Sequence, residues 1–151
     1  MELPDGLRLD GGRVVFPESV CALHVTDAEE VLLVRQERAA HHRSTLELPG
    51  GKVNQGEHLV EAALRELSEE SGCVAQDGEE LLTLDMDFSV SVHRTHLVRV
   101  HKLELSQRGA EFGLVWVPLE EARNLVLGGE ITHAPTVAAI LLLSGRGQGT
   151  P

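Results

Sequence analysis

The hydrophobic positions change rhythm several times along the chain, and each rhythm predicts a different element. Residues 20–25 and 31–35 are apolar at nearly every position. A strand with one wet face alternates, whereas one covered on both faces reads as an unbroken apolar run. These stretches therefore predict two strands buried on both sides, joined by a turn around Asp27. Residues 7–16 predict a short hairpin turned at Asp10-Gly11-Gly12. Residues 38–44 are polar and predict a loop, and Leu46-Glu47-Leu48 a short strand stopped by Pro49-Gly50-Gly51. Further strands are expected over 81–90, 95–105 and 114–117. A helix over about 119–127 follows Pro118, a residue suited to a helix start. A last helix is expected over 136–143, with a Gly-rich flexible tail over 145–151. Strands mixed with separated helices predict an α/β protein, a sheet covered by helices on both faces.

The most informative rhythm lies over 58–71. At 100° per residue, Val60, Ala63, Leu64 and Leu67 form one stripe of a helix that should pack on the sheet. Gly72 follows as a left-handed stop. Glu66, Glu69 and Glu70 form the adjoining stripe, at i, i+3 and i+4. Each such like-charge pair costs a helix roughly 0.2–0.5 kcal/mol, and partial burial raises the cost. A Glu-rich face can simply be solvated. Its neighbours here favour a cation instead. Gly50 and Gly51 let the backbone approach a ligand closely, Arg65 can hold the carboxylates in register, and Glu57 stands at the positive end of the helix, where it can orient the loop or Arg65. Clustered carboxylate oxygens suit Mg²⁺, with Mn²⁺ as a substitute.

Composition narrows the rest. The 151 residues suit one domain, expected over 1–144 with 1–16 as its N-terminal hairpin, and need neither metal nor disulfide to make a core. Lys and Arg number 13 against 24 Asp and Glu, a formal net charge of −11 that argues against a nucleic-acid partner. An acidic protein still handles phosphates if divalent cations stand between. With three Phe, one Trp and no Tyr, a site stacking bases on several aromatics is hard to build. Cys21 and Cys73 define no zinc spacing or disulfide framework and suit a reducing compartment. No signal-peptide core opens the chain, and the longest apolar run, 137–143, is too short to span a bilayer. A soluble cytoplasmic protein without a membrane partner is expected.

The pattern Gly51, five residues, Glu57, seven residues, Arg65-Glu66-Leu67, one residue, Glu69-Glu70, one residue, Gly72-Cys73 resembles the complete Nudix box. That resemblance implies the Nudix α/β/α sandwich, a mixed β-sheet between helices. Flanking segments are similar to the ADP-ribose pyrophosphatase subfamily: Leu33-Val34-Arg35-Gln36-Glu37-Arg38, Leu46-Glu47-Leu48-Pro49-Gly50-Gly51, Trp116-Val117-Pro118-Leu119-Glu120-Glu121, and the stretch from Gly129 to Thr136. The chain departs from that group at Asp87-Phe88-Ser89-Val90-Ser91, which lacks the usual proline, and at His93-Arg94-Thr95, where an acidic residue is usual. These departures bear on substrate identity rather than catalysis.

The resemblance implies that Glu66 and Glu70 ligate Mg²⁺, with Glu69 as a direct or water-bridged ligand and the Gly50 carbonyl turned toward a cation. Gly51 belongs to the substrate loop, and Arg65 and Glu57 to the catalytic framework. The implied reaction is metal-dependent hydrolysis of a nucleoside diphosphate linkage, ADP-ribose giving AMP and ribose 5-phosphate. Alternatives are a nucleotide sugar, a dinucleotide, an oxidised nucleoside triphosphate, or binding without hydrolysis by a Nudix-like regulator. Either Glu111 or Glu69 is the general base. Arg38, Arg35 and Lys52 are candidates for the phosphates, Arg38 ahead of the others. Phe16, Phe88 and Trp116 either stack a base or pack in the core. Many members of the subfamily are homodimers, so a homodimer is implied by analogy. His93, His96 and His101 do not share one strand face, which argues against a zinc site.

Overall fold

The computed structural model describes residues 6–106 and 109–146. Its centre is a pair of adjoining sheets whose innermost strands are the two apolar runs. Strand β3 (Ser19–Leu23) and strand β4 (Glu30–Arg38) are joined by a turn in which the Thr26 N–H donates to the Glu30 carbonyl and the Glu30 N–H donates to the Thr26 hydroxyl. The Leu32 N–H donates to the His24 carbonyl and ties the two runs together. The first sheet has the order β6 (Gly50–Lys52), β3, β10 (Arg94–His101), β8 (Asp77–Asp85). Strands β3 and β10 run parallel, and the other pairs are antiparallel. The second sheet is antiparallel, with β4 between β12 (Gly113–Pro118) and β5 (Arg43–Glu47).

Alternation on the central strands sorts the core into two layers. Val20, Ala22, Leu32, Val98 and Val100 face helix α1 (Leu59–Ser71), burying Ala62, Ala63 and Leu67. Cys21, Leu23, Val31, Leu33 and Leu97 face the other way, onto Ala122 of helix α2 (Leu119–Leu127) and Ala139 and Ile140 of helix α3 (Ala134–Arg146). The sheets are thus covered by helices on both sides, the α/β/α sandwich expected from the sequence. The N-terminal hairpin pairs β1 (Arg8–Asp10) with β2 (Arg13–Val15), and β2 continues onto β9 (Ser91–Val92). Gly11 and Gly12 both have positive φ, as a two-residue turn of this hand requires. A short ribbon of β7 (Cys73–Val74) and β11 (Glu104–Leu105) completes the structure.

Several boundaries differ from the expected ones. The polar stretch 38–44 is not a loop throughout. Strands β4 and β5 continue to Arg38 and Arg43, which pair directly, and only the 3-10 turn Ala39–His41 and left-handed His42 join them. Polar side chains on both faces hide a hairpin tip from pattern reading. The strand expected over 81–90 starts at Asp77 and stops at Asp85. Beyond it, Asp87 collects the N–H groups of Ser89, Val90 and Ser91 and the hydroxyls of both serines. Those local bonds compete with strand pairing. The strand expected over 95–105 ends at His101, where Lys102 takes positive φ. Helix α3 begins two residues early and runs to Arg146, so Gly145 is helical where a tail was expected. Residues 147–151, the rest of that tail, lie outside the described part. No helix among the described residues is long and apolar enough to cross a membrane.

Candidate active site

The acidic stripe of α1 lies against β6, and two glycines make this possible. A side-chain carbon on Gly50 would stand 2.2 Å from the Val20 carbonyl oxygen, so the β3–β6 pairing itself needs a glycine. A side-chain carbon on Gly51 would stand 2.5 Å from the carboxyl carbon of Glu66, which occupies that space. Glu70 is buried, and it accepts the Gly50 N–H at 2.9 Å and the Gln36 amide at 3.3 and 3.4 Å. Burial pushes the Glu70 carboxyl up to about 7, and the charges of Glu66 and Glu111 push the same way, against the Gly50 N–H and Arg38. Burial raises Glu66 as well, although its bond from Arg65 opposes the shift.

Arg65 organises the exposed side of the stripe. Its Nε and Nη2 hold Glu57 side-on, at 2.8 and 3.0 Å, and Nη2 also donates to the Lys52 carbonyl at 2.9 Å. Its Nη1 reaches Glu66 at 2.6 Å and Glu69 at 3.4 Å. The Arg65 bond holds Glu57 below the usual carboxylate range, and Glu57 in turn accepts the Asn54 N–H at 2.9 Å. One guanidinium therefore fixes the loop after β6 to the helix and spaces three carboxylates. Gly72 ends the helix as expected, with φ of 70° and its N–H on the Ser68 carbonyl. Just beyond that helix end, the N–H groups of Glu111 and Phe112 donate to the carbonyls of Glu69 and Glu70, each at 3.0 Å. Glu111 is thereby docked beside the stripe with its side chain exposed.

A second charged group adjoins the first. Gln36 and Arg38 share one face of β4, and β5 contributes Thr45 and Glu47 to that face. Glu47, with 3% of its side chain exposed, binds Arg38 side-on. A cavity of about 270 Å³ runs between Arg38, Glu47, Gly50, Gly51, His93 and His133. A neighbouring one of about 380 Å³ shares Arg38, Glu47 and His133 and extends to His41 and Arg43.

Most residues singled out from the sequence meet here: Gly50, Gly51, Glu57, Arg65, Glu66, Glu69, Glu70, Glu111 and Arg38. Arg35, also expected among the phosphate-binding candidates, lies apart from this group. It sits on the opposite face of β4 from Gln36 and Arg38 and lines a separate cavity with Leu125 and Ile131. Among the aromatics, Trp116 packs against the α1-side core with its edge on His24, at 6.1 Å. Phe16 stacks on His93 at 4.6 Å, while Phe88 is 89% exposed. Sequence reading missed Gln36, Thr45, Glu47 and His133 as members of this group. Strand alternation puts Gln36 with Arg38, and that parity was the available signal.

The donor set suits a divalent cation. Both carboxylates are raised by burial, and Glu70 also by the charge of Glu66, so a cation beside them would favour their ionised forms. Among the described residues, however, no three His, Cys, Asp or Glu side chains already converge as a metal-binding group. Arg65 and the Gly50 N–H hold the oxygens instead.

Residues 15–140 match the family model described as the NUDIX domain. The chain is 30% identical over 149 residues to an ADP-ribose pyrophosphatase of Bacillus subtilis (strain 168), covering 95% of this chain and 80% of the relative. It is 33% identical over 150 residues to an ADP-ribose pyrophosphatase of Mycobacterium tuberculosis (strain ATCC 25618 / H37Rv), covering 91% and 72%. Among solved structures, one of an ADP compounds hydrolase superposes with a TM-score of 0.78 at 29% identity, covering 98% of this chain and 84% of the other.

Proposed function

The chain belongs to the Nudix family of hydrolases, and on that premise we propose that it hydrolyses ADP-ribose to AMP and ribose 5-phosphate with Mg²⁺ as cofactor. The observation that carries this reading is the meeting of Glu66 and Glu70 with Gly50-Gly51 beside the cavity edged by Arg38. The relatives named ADP-ribose pyrophosphatase, similar over nearly the whole chain, support the substrate.

Glu66 and Glu70 would hold the cation, with Glu69 and the Gly50 carbonyl as further ligands. When bound, the cation neutralises diphosphate charge and lowers the pKa of water. Arg65 and Glu57 keep the carboxylates spaced and the loop after β6 in place. Arg38 meets the phosphates, and Arg35 is not retained for that task because it faces away. Glu111, docked at the end of α1, takes the proton of the attacking water, with Glu69 as its rival. The water oxygen bonds to one phosphorus and the bridging oxygen leaves with the other half of the molecule.

The test is a panel of diphosphates read by product phosphomonoesters. ADP-ribose is expected to give the highest kcat/KM among ADP-ribose, nucleotide sugars, dinucleotides and nucleoside triphosphates. Equal or better turnover of a nucleoside triphosphate would reject the substrate, and no turnover of any would reject hydrolysis.

A further inference from the structure

The Arg38–Glu47 pair is built more elaborately than a surface ion pair. Arg38 spends Nε on Glu47 Oε1, at 2.8 Å, and Nη2 on Oε2. The Thr45 hydroxyl donates to Oε1 at 2.5 Å. His133 Nε2 stands 3.6 Å from Oε2, outside hydrogen-bond reach but within that of an ion pair. His133 is itself fixed: its Nδ1 meets the Thr136 hydroxyl at 2.8 Å, and Thr136 accepts the Leu48 N–H at 2.9 Å. The Nδ1 contact with Thr136 leaves Nε2 as the ring nitrogen that faces Glu47. Three separate segments, β4, β5 and the start of α3, thus surround one buried carboxylate.

The arrangement has a directional consequence. A guanidinium carries five N–H donors in a rigid fork, and the side-on pair uses two. The unused donors belong to a side chain that is 43% exposed and lines both the cavity that reaches Gly50 and Gly51 and its neighbour. An unpaired arginine on a hairpin tip would have to be ordered by the substrate at a cost in affinity. Here that ordering is complete beforehand.

We propose that Glu47 is a positioning residue for substrate: its buried carboxylate, braced by Thr45 and His133, fixes Arg38 so that the remaining guanidinium donors face an incoming diphosphate. This rests on the reading that Arg38 meets the phosphates. Glu47 itself touches no reacting atom.

A double-mutant cycle on ADP-ribose hydrolysis tests it. Glu47→Gln is expected to raise KM about tenfold or more with kcat changed less than about threefold. In an Arg38→Ala background the same change is expected to add no further loss, because Glu47 acts through Arg38. An equal loss in both backgrounds, or a fall in kcat with KM unchanged, overturns the proposal. A second measurement needs neither turnover nor the Gln variant. In the wild-type protein without substrate, the Arg38 Nε–H NMR signal, assigned with Arg38→Lys, is expected to be resolved and slow to exchange with water. An averaged, fast-exchanging signal overturns the proposal. If no diphosphate is turned over, the functional reading fails while this signal still decides whether Arg38 is held.

Discussion

The Glu66 carboxylate rests on Gly51: a side-chain carbon there would stand 2.5 Å from its carboxyl carbon. The obstacle is the end of a flexible side chain, so a methyl group would push the carboxylate aside rather than break the fold. Gly51→Ala is therefore expected to keep its melting temperature within a few degrees and to lose about 10²-fold in kcat/KM, the scale of a catalytic group displaced by an ångström. Gly50→Ala should behave oppositely. Its new carbon meets the Val20 carbonyl at 2.2 Å, which is backbone, so the protein itself should be destabilised, by at least the roughly 1–3 kcal/mol of overpacking. Thermal melts beside steady-state kinetics distinguish the two.

The proton acceptor can be assigned by amide substitution. Glu111→Gln is expected to cut kcat by about 10² or more while leaving KM within a few-fold. Its backbone bond to the Glu69 carbonyl survives the change, so the loop should remain docked. A loss below about threefold would transfer the role to Glu69, and the Glu69→Gln variant would then show the larger loss.

Stability at acid pH should report on Glu47. Burial alone would raise its pKa, but the bonds from Arg38 and Thr45 and the nearness of His133 outweigh it and hold the carboxyl below the usual range. A group lowered in the folded state contributes stability that is present above its unfolded pKa, about 4.3 for glutamate, and lost as pH falls through the folded value. Denaturant titrations from about pH 6 to pH 3 should show a shallower decline for Glu47→Gln than for the wild type. Parallel declines would contradict this.

Sequence reading reached the site through helix periodicity and spacing. Glu66, Glu69, Glu70 and Arg65 lie within two turns of one helix, so their proximity follows from the helix alone. The unbroken apolar runs likewise announced β3 and β4. What remained hidden depends on contacts between distant positions. Glu47 and His133 are 86 residues apart, and Gln36 meets Glu70 across 34. Strand parity separates Arg35 from Arg38, yet nothing local says which face turns toward the helix. The hairpin tip at 38–44 reads as a loop because its pairing is between backbones while its side chains are exposed and, Ala39 and Ala40 aside, polar.

The central claim is that Glu66 and Glu70 are a cation's ligands and not merely partners of Arg65 and Gly50. Titration of Mn²⁺, followed by the loss of its free-ion EPR signal in the presence of a methylene analogue of ADP-ribose, tests it most directly. The wild type should bind Mn²⁺, and Glu70→Gln and Glu66→Gln should each weaken binding by at least the roughly 10–100-fold seen when groups supporting a metal site are altered. Equal binding by all three proteins, or none by the wild type, would contradict the account.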